Sequence, residues 1–435
     1  MFSVLLFGFI LILTIILLFS FLFALSDFNS KLFLVVFTLF YYFYNGVGLA
    51  YSEVSNILRL AYLIFYIIFC LTFIYFYRIK IRSYNIIRKT FDNPRIGSEK
   101  QIKYFAYLYI TLNFFSLIYP NFIVSRLIHP PTPDLLGNLN DFQQSNAPNL
   151  LLSKILFYIQ TLCFPFIFLY FDIFKINNNI KKFLILTTVL NYVSYVQSAY
   201  ISRSDILMYI QISFLVYFLT KQKFSLKIFK NIAIPIFLIV LFFSAYQEIR
   251  LGNNAEISSG VTMVFKKAFE TEVSFPKDVM QKIIDKKLTT SFPNYVGWLS
   301  TLPVPKFLIP KLIVFELNKN ISETLLGIPM DDQYFFILLP GILGESIYIY
   351  SIYFYLFHAI FIGFLFALIL RLFKNNHKYF FYQSYLIVLM SYYTSRGGIV
   401  SSLPLIINGN ILVLFFFYYL NTFTIKKNKV CESYI

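Results

Sequence analysis

The chain is poor in the residues that hold metal ions or form disulfide bonds. It has three cysteines, Cys70, Cys163 and Cys431, which form no spaced pair, and two of them lie inside apolar runs. It also has only three histidines. This scarcity predicts neither a disulfide framework nor a metal site, and packing is the expected role of the cysteines.

Charged residues are scarce too, at 13% of the chain, and there is no GxxxxGK[ST] phosphate loop and no extended acidic cluster. An ATP-driven pump, or a cytoplasmic glycosyltransferase with a metal-binding carboxylate pair, is therefore not expected. The net charge of +17 does not indicate nucleic-acid binding, because the basic residues concentrate in short loops between apolar runs. We expect no cofactor, no metal and no nucleic-acid partner.

Apolar residues are abundant, at 58% of the chain. They recur in runs of about 17 to 25 residues, the length that crosses the hydrocarbon core of a bilayer. The sequence therefore predicts an all-α, polytopic integral membrane protein with about eleven transmembrane helices, ten or twelve being the alternatives. The predicted helices lie near 2–25, 32–51, 57–77, 104–124, 151–174, 183–200, 205–220, 231–246, 347–370, 379–394 and 404–424. The first run has no basic residue before it and no small-residue cleavage site, which favours a retained helix over a signal peptide.

Basic loops predict the orientation of these helices. The loop 78–103 carries eight Lys or Arg against two acidic residues, so it is expected in the cytoplasm. Alternation of the helices then puts four more basic segments on the same side: 175–182, 221–230, 371–378 and the C-terminal tail. Their agreement supports the predicted topology.

The longest segment on the predicted extracytoplasmic side is 247–333, where ten basic residues balance ten acidic ones. Within it, "MVFKKAFETEV" and "PKDVMQKIIDKKL" are expected to form amphipathic helices over the membrane mouth. The proline-broken stretch 302–315 resembles an interfacial or re-entrant piece. The predicted division is therefore N-terminal helices at 1–246, this loop at 247–333, and C-terminal helices with a basic tail at 334–435.

Arginines on the predicted extracytoplasmic side need a physical reason. Besides Arg126, they are Arg203, Arg250 and Arg396, and both Arg203 and Arg396 lie in turns of a few residues, where cations are disfavoured. A guanidinium binds phosphate oxygens bidentately and stays charged. We therefore expect Arg203, Arg250 and Arg396 to converge on one anionic ligand. The alternative for Arg203 is that it pairs with Asp205 and pins a helix end.

Two carboxylates accompany these arginines. Glu345 follows a proline and two glycines in "LLPGILGESIY", where irregular backbone near the membrane surface is expected. It is a candidate general base for transfer of a sugar to a hydroxyl group. The alternative is a salt bridge between Glu345 and one of the arginines. Glu248 lies beside Arg250 and is either a base or the ion partner of that arginine.

The remaining candidates are histidines and aromatic residues. His129, in "RLIHPPTP", is the histidine on the predicted outer side, whereas His358 and His377 are expected to be structural. Three aromatic residues near the outer boundary would either stack on sugar rings or, as aromatic residues at membrane interfaces ordinarily do, act as anchors: Tyr295, Trp298 and Tyr334.

Five short motifs resemble those of a known family. In order they are "SRSD" (202–205), "EIRLG" (248–252), "NYVGWLSTLPVP" (294–305), "LLPGILGESIY" (338–348) and "SRGG" (395–398). Together they are similar to the Wzy-like oligosaccharide repeat-unit polymerases, the O-antigen and capsule polymerases of bacteria. The resemblance covers most of residues 180–400, and before them it rests on hydropathy alone.

The resemblance implies a membrane glycosyltransferase at the outer face of the bacterial inner membrane. Such an enzyme moves a growing glycan from undecaprenyl pyrophosphate onto the next lipid-linked repeat unit, without a metal. Its expected partners are the undecaprenyl-pyrophosphate-linked oligosaccharide and membrane lipid, with a chain-length regulator as a further candidate. Arg203, Arg250 and Arg396 match the arginines that would hold the pyrophosphates, and Arg250 and Glu345 are the expected catalytic residues. One spacing departs from the family, because Gly260 follows Arg250 by ten residues where some members have eleven.

Three other functions are weighed against this one. An O-antigen ligase is expected to carry a functional histidine in its large loop, and residues 247–333 contain none. A flippase or other transporter is expected to show two similar halves with charges inside helices. A membrane acyltransferase would need a histidine near its mouth, for which His129 is the candidate.

Overall fold

The computed structural model describes residues 2–50, 54–79, 107–108, 111, 275–290, 298–299, 302, 317–329, 338–372 and 380–411. This part is 87% helical and contains no strand. The chain divides into two compact units, one formed by Met1–Ile96 with Phe269–Ile435 and the other by Gly97–Ala268. The helices described below all belong to the first unit.

Eight α-helices lie in the described ranges: α1 (Phe2–Phe23), α2 (Phe28–Tyr41), α3 (Asn56–Arg78), α4 (Phe275–Asp285), α5 (Leu317–Leu326), α6 (Gly341–Phe354), α7 (Leu356–Arg371) and α8 (Phe380–Ile406). A π-helical turn and a 3₁₀ turn, Tyr42–Gly46 and Val47–Ala50, continue α2, and a π-helical turn, Ile407–Ile411, continues α8. The predicted helices at 2–25 and 57–77 are confirmed, and the one at 32–51 begins earlier, at Phe28. Of the predicted helix at 104–124 only residues 107–108 and 111 are described, and the predicted helices between 151 and 246 lie outside the described residues, so the number of spans stays a prediction.

Two features indicate membrane helices: the length of the apolar helices and stripes of exposed apolar side chains. Phe28–Leu49 and Asn56–Arg78 are long and apolar enough to cross a bilayer, and Gly8–Phe23 and Leu356–Arg371 are shorter apolar helices. On α1, exposed apolar side chains recur every three or four residues: Phe9, Ile12, Ile16, Phe19 and Phe23. A continuous stripe of exposed apolar side chains promotes aggregation in water and is suited to contact with lipid. The described part is therefore that of a helical membrane protein.

Aromatic rings fill the contact between α2 and α3. Tyr41 stacks on Tyr62 with 4.7 Å between ring centroids, and its hydroxyl donates to the carbonyl oxygen of Tyr62 at 3.0 Å. The hydroxyls of Tyr66 and Thr38 lie 2.7 Å apart. Each buried tyrosine thus contributes a large apolar surface while its hydroxyl finds a partner inside the bundle.

Helices α3 and α7 run in the same direction and touch closely. A Cβ atom at Gly363 would lie 2.9 Å from the carbonyl oxygen of Phe69, so the absence of a side chain lets the backbones approach. Further along, Nη1 of Arg371 donates to the carbonyl oxygen of Phe76 at 2.9 Å. The ends of α3 and α7, at Arg78 and Arg371, therefore lie together. We call this the basic end of the bundle, and two of the basic segments predicted to be cytoplasmic, 78–103 and 371–378, begin at it.

Helices α2 and α8 begin at the basic end. The hydroxyl of Tyr77, near the end of α3, donates to Oδ2 of Asp27 at 2.8 Å, and Asp27 is the N-cap of α2. One turn into α2, Nδ2 of Asn29 donates to Oε1 of Gln383 at 2.5 Å. Helices α2 and α8 start at the basic end, whereas α3 and α7 end there. The far end of α2, and the far end of the part of α8 before Gly398, which we call its first arm, therefore lie at the opposite end of the bundle.

The chain reverses direction within α8. Gly398 has φ 74° and ψ −172°, which interrupts the helix. The hydroxyl of Tyr382 lies 3.3 Å from the carbonyl oxygen of Asn410, although a straight helix would hold these residues about 42 Å apart. Thr394 and Ser402 also join across the turn, with their hydroxyl oxygens 2.8 Å apart. The predicted turn at "SRGG" between two helices is confirmed, and helix extends to it on both sides.

A second sharp turn interrupts α6 at Ser351, shortly before α7 begins. Ser351 has φ 65° and ψ 168°, and Oε1 of Glu345 lies 3.7 Å from Nε2 of His358, two residues that a straight helix would hold about 20 Å apart. The prediction of one span over 347–370 is therefore wrong. Hydropathy missed this turn because Ser351 stands between apolar neighbours, so the apolar run continues through it.

Candidate functional site

Residues from three distant parts of the chain meet at the end of the bundle opposite the basic end. We call this cluster the junction: Asn45 after α2, Glu345 on α6, His358 on α7, and Ser395 and Gly398 in the α8 turn. All four of its residues with side chains are fully buried. It joins two motifs of the family resemblance, "LLPGILGESIY" and "SRGG".

Glu345 caps the second arm of α8, which is the part of this helix that follows Gly398. Its Oε1 accepts a hydrogen bond from the backbone N–H of Ile399 at 2.8 Å, and its Oε2 accepts one from Val400 at 3.2 Å. The first N–H groups of a helix have no partner within that helix and favour a nearby anion. The break at Gly398 creates such a set of N–H groups inside the bundle, and the Glu345 carboxylate satisfies two of them.

Gly398 permits this contact for two reasons. Its φ of 74° lies in the left-handed region, where side chains are strained. A Cβ atom at this position would also lie 2.7 Å from Oε1 of Glu345 and nearer still to Oε2. Any residue other than glycine would thus strain the turn and displace the carboxylate.

Asn45 holds the same turn from its other side. Its Nδ2 donates to the carbonyl oxygen of Ser395 at 2.8 Å, and its Oδ1 accepts from the N–H of Leu343 at 3.3 Å. The first turn of α6 fits tightly against it, since a Cβ atom at Gly341 would lie 3.2 Å from Cγ of Asn45. One buried amide therefore joins the "LLPGILGESIY" motif to the "SRGG" motif. Asn45 was not among the predicted site residues, and its signal in the sequence is a polar residue late in a predicted helix.

His358 is the second titratable group of the junction. It is fully buried on α7, in keeping with the structural role expected for it. The distance of 3.7 Å between its Nε2 and Oε1 of Glu345 exceeds a hydrogen bond but falls within the range of an ion pair for a protonated ring. Its closeness to Glu345 has no signal in the sequence, because it depends on the turn at Ser351.

Helix α4 covers α6 at this end. It is amphipathic, as the pattern "PKDVMQKIIDKKL" predicts, with Val279, Met280 and Ile283 buried. Met280 lies against α6, where its Cγ would be 2.8 Å from a Cβ atom at Gly344. The N–H of Ser55, just before α3, donates to Oε1 of Gln281 at 3.2 Å. A piece of the predicted large loop thus lies at the end where α3 starts, opposite the basic end.

The structure brings two of the predicted site residues into one region. Arg396 lies in the Ser395–Gly398 turn, with its side chain half-buried, and Glu345 binds the residues that follow this turn. The partners of the Glu345 carboxylate among the described residues are N–H groups and His358, not an arginine. Several predicted residues lie outside the described part: Arg126, His129, Arg203, Glu248, Arg250, Tyr295, Tyr334 and His377. Convergence of the three arginines therefore stays a prediction.

The structure also describes Trp298 and a further arginine, Arg59. Trp298, expected to stack on sugar or to anchor at the interface, is 1% exposed, so its ring is enclosed by protein. Arg59 is an additional arginine at this end, because it starts α3. Its guanidinium donates to the carbonyl oxygen of Leu49 at 3.0 Å and to Oδ1 of Asn56 at 2.6 Å. These local contacts give Arg59 a structural role.

No family model, no curated protein and no solved structure matches this chain. Within the described ranges, no group of three or more His, Cys, Asp or Glu is placed to hold a metal ion. The chemistry of the junction is therefore argued from its own groups. Its buried carboxylate has a hydrogen bond to each oxygen, an arrangement that suits fixing the turn better than taking a proton from a substrate.

Proposed function

We propose that this protein polymerises undecaprenyl-pyrophosphate-linked oligosaccharide repeat units into O-antigen or capsular polysaccharide. The reaction would take place at the outer face of a bacterial inner membrane. The five motifs carry the resemblance on which the proposal rests. One structural observation supports it: "LLPGILGESIY" and "SRGG" meet in one buried junction at the end of the bundle opposite the basic segments.

The proposed reaction is a glycosyl transfer. The bond between the anomeric carbon of the donor sugar and a pyrophosphate oxygen breaks, and a bond to an acceptor hydroxyl oxygen forms. Negative charge develops on the departing pyrophosphate, which fixed guanidinium groups stabilise when they are organised beforehand. Arg396, with Arg203 and Arg250, would bind these phosphate oxygens. The acceptor proton passes to a base, for which Glu345 and Glu248 are the candidates.

The position of α4 is in keeping with a reaction at the outer membrane boundary. This amphipathic helix buries its apolar side against α6 and exposes Asp278, Lys282, Asp285 and Lys286. Such a helix is suited to the zone between lipid and water. A lipid-linked oligosaccharide has its pyrophosphate in the same zone, because its chain is in the bilayer and its sugars are in water.

The decisive experiment replaces Arg203, Arg250 and Arg396 singly with Lys in the native bacterium. After membrane insertion is verified, the surface glycan is extracted and separated by length on a gel. Lysine keeps the charge but loses the bidentate geometry. Arg59→Lys is the matched control, since Arg59 lies at the same end and its guanidinium donates to Leu49 and Asn56. The glycan ladder of this variant is expected to stay unchanged.

The outcomes separate the candidate functions. Collapse to a single repeat unit on the final acceptor supports polymerisation. Long glycan that accumulates on the carrier lipid supports a ligase instead. An unchanged ladder in all three variants would show that the arginine assignment is wrong.

A further inference from the structure

We propose that Glu345 is a positioning residue that fixes the Ser395–Gly398 turn and thereby sets where Arg396 is presented. The link to pyrophosphate rests on the proposed function, whereas the control of the turn does not. This assigns Glu345 a role through another residue, in place of direct proton transfer.

The turn is held on both sides of Arg396. Before Arg396, the carbonyl oxygen of Ser395 accepts a hydrogen bond from Asn45 at 2.8 Å. After it, the N–H groups of Ile399 and Val400 donate to Glu345 at 2.8 and 3.2 Å. Arg396 therefore stands between two anchored points of the backbone, and its Cα position depends on both.

The burial of Glu345 makes its contribution hard to replace. Glu345 is fully buried, so removal of the carboxylate leaves the buried N–H group of Ile399 and the partly buried N–H group of Val400 without their acceptor. Such groups are costly inside a bundle, where water is scarce. The turn is then expected to change shape in order to satisfy them.

Substitutions of Glu345 should disturb the turn in proportion to the number of hydrogen bonds that they remove. Glu345→Gln keeps one acceptor oxygen but points an amide NH₂ group at a backbone N–H, so one of the two hydrogen bonds is lost. Glu345→Asp keeps the charge but is shorter by one methylene group, so it reaches at most one of the two N–H groups. Glu345→Ala loses both.

Paired cysteines can report on the turn without any assay of activity. Thr394 and Ser402 face each other across it with 2.8 Å between their hydroxyl oxygens. Thr394→Cys with Ser402→Cys, in a full-length chain whose native cysteines are replaced by alanine or serine, would form a disulfide under mild oxidation. The control pair is Asn29→Cys with Gln383→Cys, which lies at the basic end and reports the packing of α2 on α8.

We expect Glu345→Ala to lower the rate of cross-linking at 394/402 on the order of thirtyfold, the effect of losing two hydrogen bonds at about 1 kcal/mol net each. Glu345→Gln is expected to show a smaller fall, and the control pair 29/383 should be unchanged in both variants. The proposal is overturned if 394/402 cross-links at the wild-type rate in Glu345→Ala, or if both pairs fall together in every variant, which would show a general loss of folding.

The glycan ladder then separates this inference from the proposed function. Shortened glycan together with slower cross-linking at 394/402, in chains that insert normally, supports both. Slower cross-linking with a normal ladder supports the control of the turn and overturns its link to polymerisation. Loss of glycan in Glu345→Gln with unchanged cross-linking would instead make Glu345 a direct participant in the chemistry and overturn the positioning role.

Discussion

Replacement of Gly398 by alanine tests the junction most directly, and Gly327 provides a matched control. Both glycines have left-handed backbone, with φ of 74° at Gly398 and 69° at Gly327. A Cβ atom at Gly398 would collide with the Glu345 carboxylate, whereas one at Gly327 would meet nothing within 4 Å. Both variants therefore introduce a side chain at positive φ, and only Gly398→Ala also collides with Glu345.

The expected loss of unfolding free energy has two parts, the backbone strain and the loss of hydrogen bonds to Glu345. An alanine at positive φ costs about 1–2 kcal/mol, and the cost is larger at Gly398, whose ψ of −172° lies in a region that glycine alone adopts readily. At Gly398 the carboxyl group must also move away from two N–H groups, and leaving a buried N–H group without an acceptor costs about 1–3 kcal/mol. We therefore expect Gly398→Ala to lower the free energy of unfolding by about 3 kcal/mol more than Gly327→Ala.

The measurement is unfolding of the purified protein in mixed micelles with increasing SDS. The single tryptophan, Trp298, is buried, so its fluorescence is a suitable probe. In the Glu345→Ala background, Gly398→Ala should lose most of its extra effect, because the carboxylate is no longer there. Equal destabilisation by the two alanines, or an effect of Gly398→Ala that does not depend on Glu345, would refute the contact as we describe it.

Three further predictions concern other parts of the bundle. Gly363→Ala should destabilise the protein by about 1–3 kcal/mol relative to Gly8→Ala in the same unfolding assay, because Gly363 touches the backbone of α3 and Gly8 has open space; equal values would contradict the close approach. Asn45→Ala should cost about 2 kcal/mol through the hydrogen bonds to α6 and the α8 turn, and should also slow cross-linking at 394/402. A cysteine at exposed Lys286 should react with an impermeant maleimide in intact spheroplasts, whereas one at exposed Arg78 should react only after permeabilisation; the reverse pattern would invert the proposed topology.

Periodicity and hydropathy predicted much of the described fold. Helices α1 and α3 lie where apolar runs of membrane length occur, and α4 lies where the pattern is amphipathic. The turn at "SRGG" was also predicted, since two adjacent glycines and a charge interrupt an apolar run there. These features are local, so a short window of sequence contains the physical information that specifies them.

The junction was predicted only in part. Glu345 and Arg396 were identified as site residues, because charge is rare in this chain and costly inside a membrane. The alternative to a general base for Glu345 was a salt bridge with an arginine, and the partners that the described residues offer its carboxyl group are backbone N–H groups and His358. Backbone groups appear at every residue, so no sequence pattern distinguishes the two that become available at Gly398.

The sequence by itself determined that this is a helical membrane protein and which segments carry its scarce polar groups. Tertiary structure decided which of those groups meet. The turn at Ser351 brings His358 to Glu345, and the parallel course of α2 and the first arm of α8 brings Asn45 to Ser395. Both depend on backbone dihedral angles and helix packing between residues far apart in the chain, which hydropathy averaged over a window does not register.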